Sequence, residues 1–278
     1  MQTIQLPDGR TLAYREYGPA AGSPLIFLPG AGCGRLMRFG DDSLLAAYGV
    51  RLISVDRPGL GASTADADKS LGSVASDLAR LMAVVSAEPV VVIANSQGAP
   101  FGLALTRHEQ VRSLVLASPI DDLGHPPTTA LLGTPHRAFV HDVADDPAAA
   151  ETNLQEFGAD DLYRMVMSGY PASDAPTYRR PEFQAMFRSA LADGFCSGAA
   201  GYARDTVLAT LPWPAELFDR RVPVSILYGA DDDAHSPDHA ATLAHRLRAR
   251  RQIVDGVGGS LLWARPELVL DVVLRSPL

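Results

Sequence analysis

Five short runs in this chain share one form: PLIFLPG (24–30), RLISVDRPG (51–59), PVVVIANSQG (89–98), VRSLVLASP (111–119) and VPVSILYGADD (222–232). Each is a nearly unbroken apolar stretch that closes on Gly, Pro or Asp. A strand that shows one face to water alternates apolar and polar residues, and these do not. A continuous β-branched run fits a strand buried on both faces, which implies a parallel sheet covered by helices. The segments between the runs have helical spacing. Val74, Leu78, Leu81, Met82 and Val85 recur at intervals of three and four, so one stripe faces a core. Ser236-Pro237 has the form of an N-cap followed by Pro at the first helical position, predicting a helix through Leu243 and Leu247. Pro266 opens a final apolar helix in the same way. At the N-terminus, IQLPDGRTLAYREYG alternates around a Pro-Asp-Gly-Arg turn, which predicts a β-hairpin. The whole is expected to be a doubly wound, mostly parallel α/β sheet.

The rhythm breaks between residues 122 and 218. That stretch holds helix-like pieces, many Ala, Pro and Asp residues and scattered aromatics, but no buried-strand run. A long insertion between two strands of one sheet predicts a helical cap after the sixth strand, with the core formed by 1–121 and 219–278. Met165, Met167 and Met186 have the helical spacing of core residues. The net charge of −8 argues against nucleic-acid binding. With two cysteines, no basic-then-apolar leader at the start and no apolar run near the ~18–20 residues of a membrane span, a cytoplasmic protein free of the membrane is expected.

Chemistry concentrates where the third run ends. In VVVIANSQGAPFGLAL (90–105) a strand enters Ala94-Asn95-Ser96-Gln97-Gly98 and a helix begins. Such a strand–turn–helix corner is tight, so the residues two before and two after the serine must be small. Ala94 and Gly98 meet that condition. The turn would lift the Ser96 hydroxyl above the sheet edge and leave the Gln97 N–H free to stabilise an oxyanion. A serine in isolation is equally well a helix cap; it is the flanking strand and helix that favour the chemical role.

On these residues the chain resembles the α/β-hydrolase superfamily over nearly its whole length. LPGAGCG (28–34) is similar to the family's oxyanion loop, with Pro29 where the family has His. SVDRPGLGAS (54–63) is similar to its Asp-x-Pro-Gly-x-Gly-x-Ser turn, IANSQG to its Gly-x-Ser-x-Gly elbow, and VPVSILYGADDDAHSP to the strand and loop that deliver the acid. The resemblance implies a cap-bearing fold with Ser96 as nucleophile, Asp232 as acid and the backbone amides of Gln97 and Ala31 as oxyanion donors. It also implies a small-molecule substrate and no cofactor. Cys33 and Asn95 lie beside these residues and are expected to line the pocket.

One member of the expected set is missing. The family takes its histidine from a loop between the last strand and the C-terminal helix, in the order Ser, Asp, His. Here a buried strand is expected to precede that loop, which reads GVGGSLLWARPE (256–267). The base position falls on Gly259 or Ser260, neither of them an imidazole. A serine hydroxyl needs an adjacent base, which contributes roughly 10²–10⁴-fold. Each of the chain's seven histidines reads by default as an ordinary surface or packing residue. Two stand at the correct sheet edge and remain as substitutes: His125 after the sixth strand, and His235 three residues beyond Asp232. The resemblance also allows the acid to come from Asp121-Asp122, after the sixth strand, though the pair reads by default as a solvated acidic turn. The run 231–233 has three adjacent carboxylates that cannot all face one ion, so no metal is expected. Three readings stay open: a serine hydrolase acting on an ester, thioester, amide or lactone; a lyase, isomerase, cyclase or acyl transferase on the same scaffold; and a catalytically silent binding protein.

Overall fold

The computed structural model describes residues 1–275. The expected hairpin forms from β1 (Gln2–Gln5) and β2 (Thr11–Tyr17), which pair antiparallel. The five apolar runs become β3 (Ser23–Leu28), β4 (Val50–Val55), β5 (Val90–Ser96), β6 (Val111–Pro119) and β7 (Val224–Gly229). A further strand, β8 (Arg250–Val254), completes an eight-stranded sheet in the order β1-β2-β4-β3-β5-β6-β7-β8. β3 to β8 run parallel. β5 lies near the middle and is buried up to Asn95, as its Val-Val-Val-Ile run requires. β8 does not match the expectation of a buried strand: it is an edge strand whose arginines and Ile253 are exposed.

Helices cover both faces. α1 (Asp42–Ala47), α2 (Leu71–Val85) and α3 (Ala99–Leu105) follow β3, β4 and β5 in turn. α2 turns Leu71, Val74, Leu78, Leu81 and Met82 inward, the stripe read from the sequence. Its cap is Ser70, whose hydroxyl accepts from the Ser73 amide while the Ser73 hydroxyl takes the Ser70 amide. Between β6 and β7 lies a wholly helical insert: α4 (Pro126–Leu131), α5 (Thr134–Asp145), α6 (Pro147–Leu154), α7 (Ala159–Ser168), α8 (Ala175–Tyr178), α9 (Pro181–Gly194) and α10 (Ala200–Thr210). The chain ends with α11 (Ala241–Leu247), α12 (Leu261–Ala264) and α13 (Pro266–Leu274). α11 begins four residues later than the Ser-Pro signal predicts: His239 and Ala240 take left-handed φ of 55° and 60°, and the Asp238 carboxylate takes the first helical amides, those of Ala241 and Thr242. Residues 236–240 therefore stay as a turn.

Two apolar cores form, one on each sheet face. Ile26, Val92, Leu114 and Ile226 point to one side with Leu78, Phe101 and Leu243. Phe27, Val91, Ile93 and Val115 point to the other, where aromatics of the insert, Tyr163, Phe183 and Phe187, join Leu261 and Leu270. Among the described residues no helix is long and apolar enough to cross a membrane.

The join between β5 and α3 leaves no room for a side chain at Gly98. A Cβ there would lie 2.5 Å from the Leu28 carbonyl oxygen and 3.0 Å from those of Asn95 and Pro29. Gly98→Ala is therefore expected to destabilise the fold by about 1–3 kcal/mol, through overpacking against backbone that cannot move aside. Thermal unfolding checks this: a melting temperature equal to wild type would contradict the close approach.

Candidate active site

Ser96 is the last residue of β5 and has φ of 49°, in the left-handed region that a non-glycine residue enters only when the surrounding structure holds it there. The turn is braced on its sheet side, where the Ile120 amide donates to the Ser96 carbonyl at 3.1 Å. The loop after β3 passes directly over the serine: a Cβ on Gly30 would sit 3.1 Å from Ser96 Cβ and 3.4 Å from its Oγ. Ala31 follows Gly30 in that loop, and Gln97 follows Ser96 in the turn.

His235 fills the gap in the expected set. Its Nε2 lies 3.0 Å from Ser96 Oγ, and its Nδ1 lies 2.9 Å from both carboxylate oxygens of Asp232. An ionised carboxylate can only accept, so Nδ1 carries the proton and Nε2 is left to accept from the serine. The expectation of a triad without an imidazole is thereby corrected: serine, histidine and aspartate form one hydrogen-bonded line, with acid and imidazole three residues apart in a single loop. Burial alone would lower the His235 imidazole, but the adjacent Asp232 carboxylate outweighs it and holds it above the ordinary value. Burial would raise Asp232, and the His235 ring together with the Ala234 and His235 amides brings it below the ordinary carboxylate range.

The loop after β7 is pinned from behind. The Tyr228 hydroxyl donates to the Asp232 carbonyl at 3.1 Å, and the Asp121 amide donates to the His235 carbonyl at 3.0 Å. Ser236 donates to the Asp121 carboxylate, and its hydroxyl accepts from the Ala240 amide at 2.8 Å. Asp122 accepts from Arg246 at 2.6 Å and from the Trp213 amide at 3.1 Å. Asp121 and Asp122 are thus buried scaffolding, and the reading of a solvated acidic turn fails because both carboxylates collect donors from α11 and its approach. Burial pushes Asp121 up to about 6.

His125, the other substitute, stands at the start of α4, its backbone bonded to Asp122 and Thr129, and its ring is brought to neither Ser96 nor Asp232. The loop that normally supplies the histidine still arrives at the site. Gly259 lies beside the His235 ring, where a Cβ would meet Cε1 at 3.0 Å. Ser260 turns away, its hydroxyl donating at 2.6 Å to Asp174 of the insert. Asp174, missed in the sequence, also takes the Gly258 amide at 2.8 Å.

The two expected pocket residues are occupied structurally. Asn95 Nδ2 donates to the Ala117 carbonyl at 2.8 Å, so this amide belongs to the sheet. Cys33 is buried among the apolar residues under the loop, and burial pushes its thiol up to about 12, too high for a nucleophile. Gln97 Nε2 reaches Thr206 on α10 at 2.9 Å. Of the three aspartates in the run, Asp232 is buried and Asp233 fully outward; among the described residues no three His, Cys, Asp or Glu side chains converge on a metal position.

Comparison with known proteins agrees with this architecture. Residues 25–272 match the alpha/beta hydrolase family. A curated relative, the uncharacterized hydrolase YcgS of Bacillus subtilis (strain 168), is 32% identical over 115 residues; the match spans 41% of this chain and 39% of that protein. Among solved structures, an esterase from Exiguobacterium antarcticum superposes with a TM-score of 0.70 at 18% identity, covering 98% of this chain and 97% of that one. Est816, described as an N-acyl homoserine lactone degrading enzyme, gives 0.67 at 20% identity over 100% of both chains. The enol-lactonase of Burkholderia xenovorans LB400 gives 0.66 at 20% identity over 98% of both. At such identities the structures speak for the fold alone, and it is the match over residues 25–272 that shows the chain to belong to the alpha/beta hydrolase family.

Proposed function

We propose that this protein is a serine hydrolase that cleaves a carboxylic ester or lactone under the helical insert, with Ser96 as nucleophile, His235 as general base and Asp232 as the group that orients it. The observation that carries the reading is the position of His235, within hydrogen-bond reach of both partners. Ser96 Oγ would attack the carbonyl carbon while its proton passes to His235 Nε2. The Ala31 and Gln97 amides would hold the resulting oxyanion. Collapse would expel the alcohol oxygen, which takes the proton back from His235, and water activated in the same way would release the acid. The insert packs its aromatics over the same sheet face and acts as the cap that shapes the acyl or alcohol pocket. Two relatives in fold act on lactones and one on esters, which supports this substrate class. The lyase-like and binding-protein readings drew on the lack of a base, and the imidazole at 235 removes that motive.

A fluorophosphonate probe is expected to label wild type and to leave Ser96→Ala unlabelled, and short aryl esters to be turned over by wild type only. Lack of both labelling and turnover in wild type would sink the serine hydrolase reading. Ser96→Ala and His235→Ala should each lower kcat by roughly 10⁴–10⁶-fold.

The pH profile follows from the raised imidazole. The base works only when neutral, so kcat/KM should rise with pH to a midpoint above 6.5, the ordinary imidazole value. Asp232→Asn removes the charge that raises it, so the midpoint should move down while kcat falls roughly 10⁴-fold. An unmoved midpoint in Asp232→Asn would separate this carboxylate from the base.

Gly259→His gives a further check. The new side chain must enter the space of the His235 ring, so the single variant should lose activity by about tenfold or more, as expected for a displaced base. In the His235→Ala background the same change should recover part of the loss. Esterase assays of the four proteins decide it, and a gain in the single variant would contradict the geometry.

A further inference from the structure

A buried charge cluster below the oxyanion loop has no part in the chemistry so far. Arg57, at the turn after β4, is fully buried. Its Nη1 donates to the Pro29 carbonyl at 2.6 Å, its Nη2 to the Gly30 carbonyl at 3.2 Å, and its Nε to the Asp205 carboxylate of α10 at 2.7 Å. The guanidinium also lies 5.0 Å from the centre of the Phe101 ring on α3. Asp205 is itself shared: the buried Lys69 ammonium pairs with its other oxygen and donates to the Pro58 carbonyl at 2.6 Å. One guanidinium thus joins the oxyanion loop and the insert and packs on the helix that follows the nucleophile.

Stability alone is a weak reason for such a cluster, because well-packed apolar residues commonly replace buried ion pairs without loss. The carbonyls that Arg57 holds are a better clue. The Gly30 carbonyl and the Ala31 N–H belong to the same peptide unit, and a cation bonded to the oxygen draws electron density from the nitrogen. That makes the N–H a stronger donor and fixes the plane in which it points. We propose that Arg57 is a positioning residue for the oxyanion, orienting and polarising the Gly30–Ala31 peptide, and that Asp205 on the insert holds the guanidinium in place. This inference rests on the serine hydrolase reading. It adds that the insert reaches the reacting oxygen through two side chains, neither of which touches substrate.

The test compares wild type with Arg57→Gln, Arg57→Lys and Asp205→Asn, each first checked for folding by circular dichroism and thermal melting. Steady-state hydrolysis of an aryl ester is measured beside inhibition by a trifluoromethyl ketone and by the matching methyl ketone. Ser96 Oγ adds to the trifluoromethyl ketone carbonyl, with its proton going to His235, so that complex carries an oxyanion. Arg57→Gln is expected to lower kcat by roughly 10- to 100-fold with KM within about threefold, and to weaken the trifluoromethyl ketone by the same factor. The methyl ketone should be unaffected, and Arg57→Lys, which can reach one carbonyl but not both, should fall between. Asp205→Asn should follow Arg57→Lys in direction. Folded Arg57 variants with unaltered kcat and unaltered trifluoromethyl ketone affinity overturn the proposal, and so does a rise in KM at constant kcat. If Arg57→Gln does not fold, Arg57→Lys decides by the same criteria. Inert, unlabelled wild type would instead sink the hydrolase reading and this inference with it, whereas active wild type beside unaltered variants sinks this inference alone.

Discussion

The hydrogen bond between His235 and Asp232 sets the terms for everything around it. Both residues leave the sheet on the same short loop after β7, so their relation is nearly local, and the longer-range problem is to bring that loop against Ser96. The fold does this with buried polar contacts: Tyr228 from the strand below, and Asp121 and Asp122 from the neighbouring strand end. These carboxylates are satisfied by several donors each, which is the condition under which burying them is tolerable. The left-handed turn at Ser96 and the crowded Gly98 answer the same demand from the other side, since a sharper corner brings the hydroxyl to the ring.

Much of the fold was legible because its signals are local. Unbroken Val-Ile-Leu runs mark strands buried on both faces, and Ala94 and Gly98 mark a corner that admits no bulk. Ser96 follows from those landmarks, whereas Asp232 comes from the resemblance of the loop after β7 to the family's acid loop. His235 was visible only as a candidate, because nothing in Asp-Asp-Asp-Ala-His says which side chain turns inward; the decision is made by Asp121, which holds the His235 carbonyl, and by Gly259, which leaves room for the ring. Asp121-Asp122 looked like a solvated turn for the same reason, since the donors that bury it come from positions more than a hundred residues further on or nearly so, Ser236 and Trp213 among them. The Ser236-Pro237 helix signal misled because the backbone turns left-handed at His239 and Ala240, and the Asp238 carboxylate, not Ser236, takes the first amides of the helix. β8 was expected to be buried as the strand that precedes the C-terminal loop, whereas it lies at the edge of the sheet and exposes its arginines.

The insert meets the core through charge at several points as well as through its aromatic face. Arg35 joins Asp56 of the core to Asp193 of α9, and Arg57 and Lys69 share Asp205 of α10. Such pairs add little to stability once their desolvation is counted, yet they fix register, because a shifted insert would strand cations without partners. Aromatic contacts alone, such as Phe183 against Trp263, tolerate sliding in a way that these forks do not.

Asp174 sits on the insert and holds Ser260, while His235 and Asp232 belong wholly to the core. Separating the two layers to admit a ligand would cut the tie between Asp174 and the C-terminal loop but break no bond among Ser96, His235 and Asp232. The line of Ser96, His235 and Asp232 is thus held by the core alone, and the C-terminal loop, which carries no imidazole here, spends its polar groups on the insert instead.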